Sequence, residues 1–219
     1  MAAGEERSWS SFVSQLVLTT GWELGIAAMF LVTWIWPYAF QPDMVTRLVF
    51  LMLIEFIVLH AAAFIAFAGA SDPSIRFRAT AIGVLMSVYC VFGIGFSFAY
   101  GSPWPLMALL ITLAPRITTA LLQQTNPEGF ARAMGQWATM MALYMIGVVL
   151  TLLAPIPRLG ITGEVIAAQG VDAEGIWFDE PYRVMAFGMC YFSGVAFLSI
   201  INLMRPPEAE ALETGAESP

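Results

Sequence analysis

The chain has 219 residues, of which 59% are apolar and 11% charged, with a mean hydropathy of +0.76 and a formal net charge of −7. A soluble domain carries about 25% charged residues, so this composition excludes the soluble class and points to a polytopic membrane protein. The acidic balance also argues against nucleic acid as a partner, and no basic cluster offers itself to anionic lipid.

The first dozen residues are polar and acidic, so no removable signal peptide is expected and the first span would act as its own insertion signal. Residues 8–20 place Trp9, Phe12, Val13, Leu16 and Val17 at helical spacing. That pattern predicts a short interfacial helix ahead of the first span. No Asp, Glu, Lys, Arg or His occurs in 24–42, 79–115, 133–157 or 184–204. A helix needs about 20 mainly apolar residues to cross a bilayer, and the 79–115 run is too long for one. Two prolines and a glycine in Tyr100-Gly-Ser-Pro-Trp-Pro105 divide it by a turn. Six spans follow, over about 22–40, 45–69, 79–100, 104–124, 133–155 and 184–205. Long uniformly apolar runs lack the alternation of a membrane barrel, so the fold class is all-α, a polytopic helix bundle.

Residues 1–206 read as one transmembrane domain. Its longest connection, 157–183, contains Gly160, Gly163, Gly170 and Gly175 with Glu164, Asp172, Glu174, Asp179 and Glu180. This predicts an extramembrane acidic cap, with Trp177 and Phe178 folded onto the membrane surface; its acidic spacing matches no calcium loop. The charged tail 207–219 is too poor in large apolar groups to fold and is expected to be disordered.

All nine basic residues are arginine, a bias that suits a GC-rich bacterial genome. With the N-terminus cytoplasmic, Arg7, Arg76, Arg78, Arg132 and Arg205 lie inside and Arg47, Arg158 and Arg183 outside. The positive-inside rule then favours a bacterial inner-membrane protein with both termini in the cytoplasm. Trp34, Trp36, Tyr38, Tyr100 and Trp104 gather at the outer span ends, as an interfacial aromatic belt would.

Charged and titratable groups inside spans are costly and usually face a bundle interior, a wet cavity or each other. Three stand out: Glu55 and His60 in the second span and Arg116 in the fourth. At 1.5 Å per residue Glu55 and Arg116 each lie about 3 Å from the span centre, within an arginine's reach. Glu55 and His60 are about 140° apart around their helix and must face different neighbours. A carboxylate in hydrocarbon needs a cation, whereas a neutral histidine needs only a hydrogen-bond partner. These arguments predict a Glu55–Arg116 ion pair and a separate His60 bonded to another helix. Pro115 would kink the fourth span beside Arg116, and Thr112, Thr118 and Thr119 would add hydroxyls to a polar cavity there.

Small-residue runs at Ala61-Ala62-Ala63, Ala66 to Ala70 and Gly93-Ile94-Gly95 predict close helix approach. Cys90 and Cys190 both fall within spans and imply no disulfide framework. No metal cluster is legible, and the single histidine excludes bis-histidine haem ligation within the chain. No hydrolase, zinc-protease or phosphate-cradling motif occurs, so neither catalytic residues nor a cofactor is expected. The functional expectation is a small channel or transporter with a polar path at the second and fourth spans, working in the lipid bilayer as a homo-oligomer. The alternative is a non-catalytic accessory or assembly subunit of a larger membrane complex.

Overall fold

The protein is seen in a computed structural model that describes residues 9–71, 74–122, 127–170 and 175–204. It is all-helical over these residues. The chain order is α1 (Trp9–Ile35), α2 (Met44–Ser71), α3 (Ile75–Tyr100), α4 (Trp104–Leu122), α5 (Pro127–Leu153), α6 (Gly163–Ala168), α7 (Ile176–Asp179) and α8 (Pro181–Met204). Four of these helices contain stretches long and apolar enough to cross a membrane: Met44–Ala68, Arg76–Tyr100, Gly129–Leu153 and Pro181–Ile201. Shorter apolar stretches occupy Thr20–Ile35 in α1 and Trp104–Ala114 in α4. The tail 207–219 lies outside the described residues.

Local sequence explains where the helices stop. The hydroxyl of Ser74 accepts from the Phe77 amide and caps α3, and Gly101 closes the same helix at φ 63°, a left-handed conformation that glycine adopts without strain. The expected turn between the two halves of the 79–115 run therefore falls at 101–103. Helix α1 continues unbroken from Trp9, so the backbone does not separate an interfacial segment from the first span. It ends at Ile35 rather than near 40, because Pro37 has no amide to donate and disfavours helix in the residue before it.

Helix α2 is the axis of the bundle. One of its faces packs Ile54, Val58, Ala61 and Ile65 against α3 and α4, through Ile82, Tyr89, Leu109 and Leu113. Its other side packs Leu48, Met52 and Leu59 against α5 and α8, and α8 in turn packs on α1. Half of the span residues of α2 and α8 are buried, against 17% in α3 and 6% in α5, so the last two are peripheral. Close approach is set by glycines. A Cβ on Gly93 would lie 2.9 Å from a Leu106 methyl, which bears out that stretch as a contact of α3 with α4; Gly95 meets nothing. The tighter seats were not legible from local spacing: Gly147 lies under the Phe187 ring and Gly188 under the Phe30 ring.

The 157–183 connection is tied to the bundle at three points, each satisfying backbone groups that a helix end leaves unpaired. The Gly160 amide donates to the Trp34 carbonyl at 3.0 Å, and the Trp34 indole donates to the Pro157 carbonyl at 3.0 Å. The Gln169 carboxamide accepts from the Thr46 amide at 3.3 Å and hydroxyl at 3.0 Å, and donates to the Pro42 carbonyl at 3.0 Å, which secures the start of α2. Arg183 donates to the carbonyls of Thr151 (2.7 Å), Leu152 (3.2 Å) and Ala154 (3.1 Å), a cation set on the negative end of the α5 dipole. Glu180 holds the Arg183 Nε–H, while Arg158 and Arg183 both approach the Tyr182 ring. Tyr182 and Arg183 hydrogen-bond the Glu180 carboxyl and keep its pKa below the ordinary carboxylate value.

The cap differs from expectation in its aromatic groups. Trp177 and Phe178 are partly buried and pack against the bundle core, Trp177 5.8 Å from the Phe187 ring and Phe178 5.6 Å from Phe50. Ile161 and Val165 of the cap are buried in the same cluster, so apolar contact with the bundle holds the cap in place.

Candidate functional site

The polar groups of the bundle interior converge where α2 meets α5 and α8. On α2, Glu55 is half-buried, and its Oε1 accepts a hydrogen bond from the Tyr191 hydroxyl of α8 at 2.9 Å. Tyr191 is 1% exposed, and its ring lies 5.4 Å from that of Tyr144 on α5. Tyr144 is equally enclosed and donates to the Met52 carbonyl at 2.8 Å. Two turns further along, the Trp137 indole donates to the Leu59 carbonyl at 2.9 Å. Three helices are thus joined by tyrosine and tryptophan donors that satisfy a carboxyl group and two α2 carbonyls. Phe187 and Phe192 complete an aromatic wall around Tyr191, with ring centroids at 6.1 and 5.1 Å.

The second sequence candidate, His60, faces elsewhere, as the helical angle requires. Its Nδ1 lies 2.9 Å from the Phe56 carbonyl one turn back on α2, and its ring stands edge-on to Phe56 with centroids 4.3 Å apart. A carbonyl only accepts, so Nδ1 carries the proton. The expected partner on another helix is therefore replaced by a carbonyl of its own helix. The i−4 carbonyl is the nearest acceptor to a histidine that points away from the packed sides of α2.

Arg116 and Pro115 have backbones within α4, which is assigned as one helix from Trp104 to Leu122. Their side chains, and with them the expected Glu55–Arg116 pair, lie outside the described residues. The hydroxyls expected to line a cavity there are engaged in the helix itself. Thr112 bonds the Ala108 carbonyl and Thr118 the Ala114 carbonyl at 2.9 Å; the Thr119 side chain is not among those described.

Two charged groups in the bundle were missed. Arg78, counted only as a loop arginine, is 5% exposed and donates from Nη2 to the Leu121 carbonyl at the end of α4, 3.2 Å away. Its Nε and Nη1 have no partner among the described residues. Glu23 opens the first apolar run, and its Oε2 is buried with no partner among the described residues. Both sit at the margins of charge-free runs, where a search for charges inside the runs passes them by.

At the cap end, Asp43 accepts from Arg47 Nε at 2.9 Å and from the Tyr100 hydroxyl at 3.1 Å. Burial alone would raise its pKa, but these hydrogen bonds outweigh burial and hold it below the ordinary 3.8. Two cavities lie away from Glu55 and His60. One, of about 40 Å³, lies between the cap and α2 and is lined by Val45, Thr46, Val49, Ile166, Gln169, Phe178 and Pro181. The other, of about 420 Å³, is an open groove at the α3–α4 turn. Among the described residues no three of His, Cys, Asp and Glu converge as metal ligands would. Comparison with protein-family models, with curated proteins and with solved structures gives no match.

Proposed function

We propose that the chain is a non-catalytic accessory or assembly subunit of a larger complex in a bacterial inner membrane. Six spans cross the bilayer: the four long apolar helices, with α1 and α4 supplying the other two. The arginine distribution supports cytoplasmic termini, with the 157–183 cap on the opposite side. The observation that carries the function is the Glu55–Tyr191 bond at 2.9 Å. It ties a carboxyl group to a buried tyrosine within an aromatic helix interface, the setting of a register lock between helices. Large apolar side chains on the peripheral helix α5, such as Leu150 at 59% and Leu153 at 80% exposed, supply surface for other membrane chains.

The test is extraction from native membranes in a mild detergent. Other membrane chains are expected to co-purify in fixed ratio, and Tyr191→Phe should lower the yield of the assembly together with that of the folded subunit. A homomer that conducts ions or solutes in vesicles would overturn the assignment. Transport through a homo-oligomer is the alternative, favoured by the position of His60, half-buried near mid-span on α2. It requires that replacing Glu55, His60 or Arg116 abolish flux without loss of folded protein.

A further inference from the structure

Helices α4 and α5 each pack on α2 but, among the described residues, make no comparable contact with each other. They straddle a strip of α2 that begins at Phe56 and continues through His60 to Phe64 and Phe67, spaced four, four and three residues apart on one helix face. Phe56 is 38%, Phe64 55% and Phe67 62% exposed, and His60 is half-buried between them. Trp137 and Phe130 of α5 flank one side, through the Leu59 carbonyl and a ring contact of 6.4 Å to Phe67. Ile57 turns to the α4 side.

The histidine makes this strip more than an apolar face. It sits within about 6 Å of the middle of the Met44–Ala68 span. With Nδ1–H committed to the Phe56 carbonyl, Nε2 of the neutral ring is a hydrogen-bond acceptor, and it has no partner among the described residues. Acyl chains offer no donor, and an unsatisfied polar group in hydrocarbon is costly. The occupant of the strip must therefore bring a donor to that depth. A twofold axis that brought the His60 rings of two copies together would set acceptor against acceptor, so a direct His60–His60 contact leaves both rings unsatisfied.

We infer that the α4–α5 cleft docks a transmembrane helix of a different chain, one that presents a hydroxyl, amide or indole donor to His60 Nε2. This rests on the accessory-subunit assignment and names its contact. It is tested in the full chain in native membranes by placing a photo-cross-linking residue at Phe64, with Val91 on exposed α3 as the control position. The Phe64 position should give one adduct with another membrane protein, mapped to a transmembrane helix bearing such a donor at the same depth. His60→Leu should reduce that adduct about ten-fold, equivalent to ~1.4 kcal/mol and within the range of interhelical hydrogen bonds in membranes. His60→Gln, which keeps an acceptor, should restore most of it. An adduct with a second copy, an adduct with lipid alone, or a yield indifferent to His60→Leu overturns the inference. Partners that co-purify while Phe64 stays silent overturn it too but leave the accessory assignment standing; absence of any partner overturns both.

Discussion

Replacing Tyr191 by Phe removes only the hydroxyl that donates to Glu55 at 2.9 Å, from a ring that is 1% exposed and packed by Tyr144, Phe187 and Phe192. The packing stays, so the loss is the hydrogen bond plus the cost of a carboxyl oxygen left with one donor fewer. Interhelical hydrogen bonds in membranes average about 0.6 kcal/mol and reach about 1.7, and removing one partner of a buried pair costs about 1–3 in all. Tyr191→Phe should therefore destabilise the fold by about 1–3 kcal/mol. Glu55→Met removes the same bond from its acceptor side and should cost about 1 kcal/mol. The double variant removes both partners of this bond, a change that is often close to neutral for a buried pair. It should recover toward the parent, with a coupling of about 1–2 kcal/mol. Glu55 and Tyr191 each have further interactions within the chain, so the cycle, rather than either single variant, isolates the pair. The assay is reversible unfolding in mixed detergent micelles, followed by helical circular dichroism. Strict additivity of the two substitutions would refute the lock. A double variant that regains stability but loses all solute flux would show that Glu55 serves transport.

Gly160→Ala should cost about 2–3 kcal/mol, because the added methyl would fall within contact distance of the Ile35 carbonyl oxygen and 2.8 Å from Pro37 Cδ, neither of which can swing aside. Gly163→Ala, where a Cβ meets nothing within 4 Å, is the control and should stay within about 0.5 kcal/mol of the parent by thermal unfolding in detergent. Asp43 has a folded-state pKa below its ordinary 3.8, so its contribution to stability is present above that value and is lost as pH falls through the lower folded value. Unfolding temperature should drop on acidification below about pH 4, and Asp43→Asn should flatten that part of the pH profile.

Membrane class and helicity follow from the sequence alone, because burying backbone amides in hydrocarbon leaves few solutions and long charge-free runs choose among them. The turn at 101–103 was legible from Gly101 and its neighbouring prolines, and the end of α1 from Pro37. The division of Glu55 from His60 was legible from a helical angle of about 140°. Partners were not. That Glu55 meets Tyr191, 136 residues away, depends on α8 returning beside α2, and a tyrosine inside a span reads in sequence as one more aromatic residue. His60 bonds the Phe56 carbonyl of its own helix, and among the described residues no other helix brings it a hydrogen-bond partner. The aromatic groups of the cap turn inward because the tertiary fold leaves apolar area for them on α2 and α8. Composition and period thus determined which segments are helices and which groups carry the cost of burial. Only the packing of distant helices decided how that cost is met, since hydrogen bonds and ring contacts between segments far apart in the chain leave no local pattern to read.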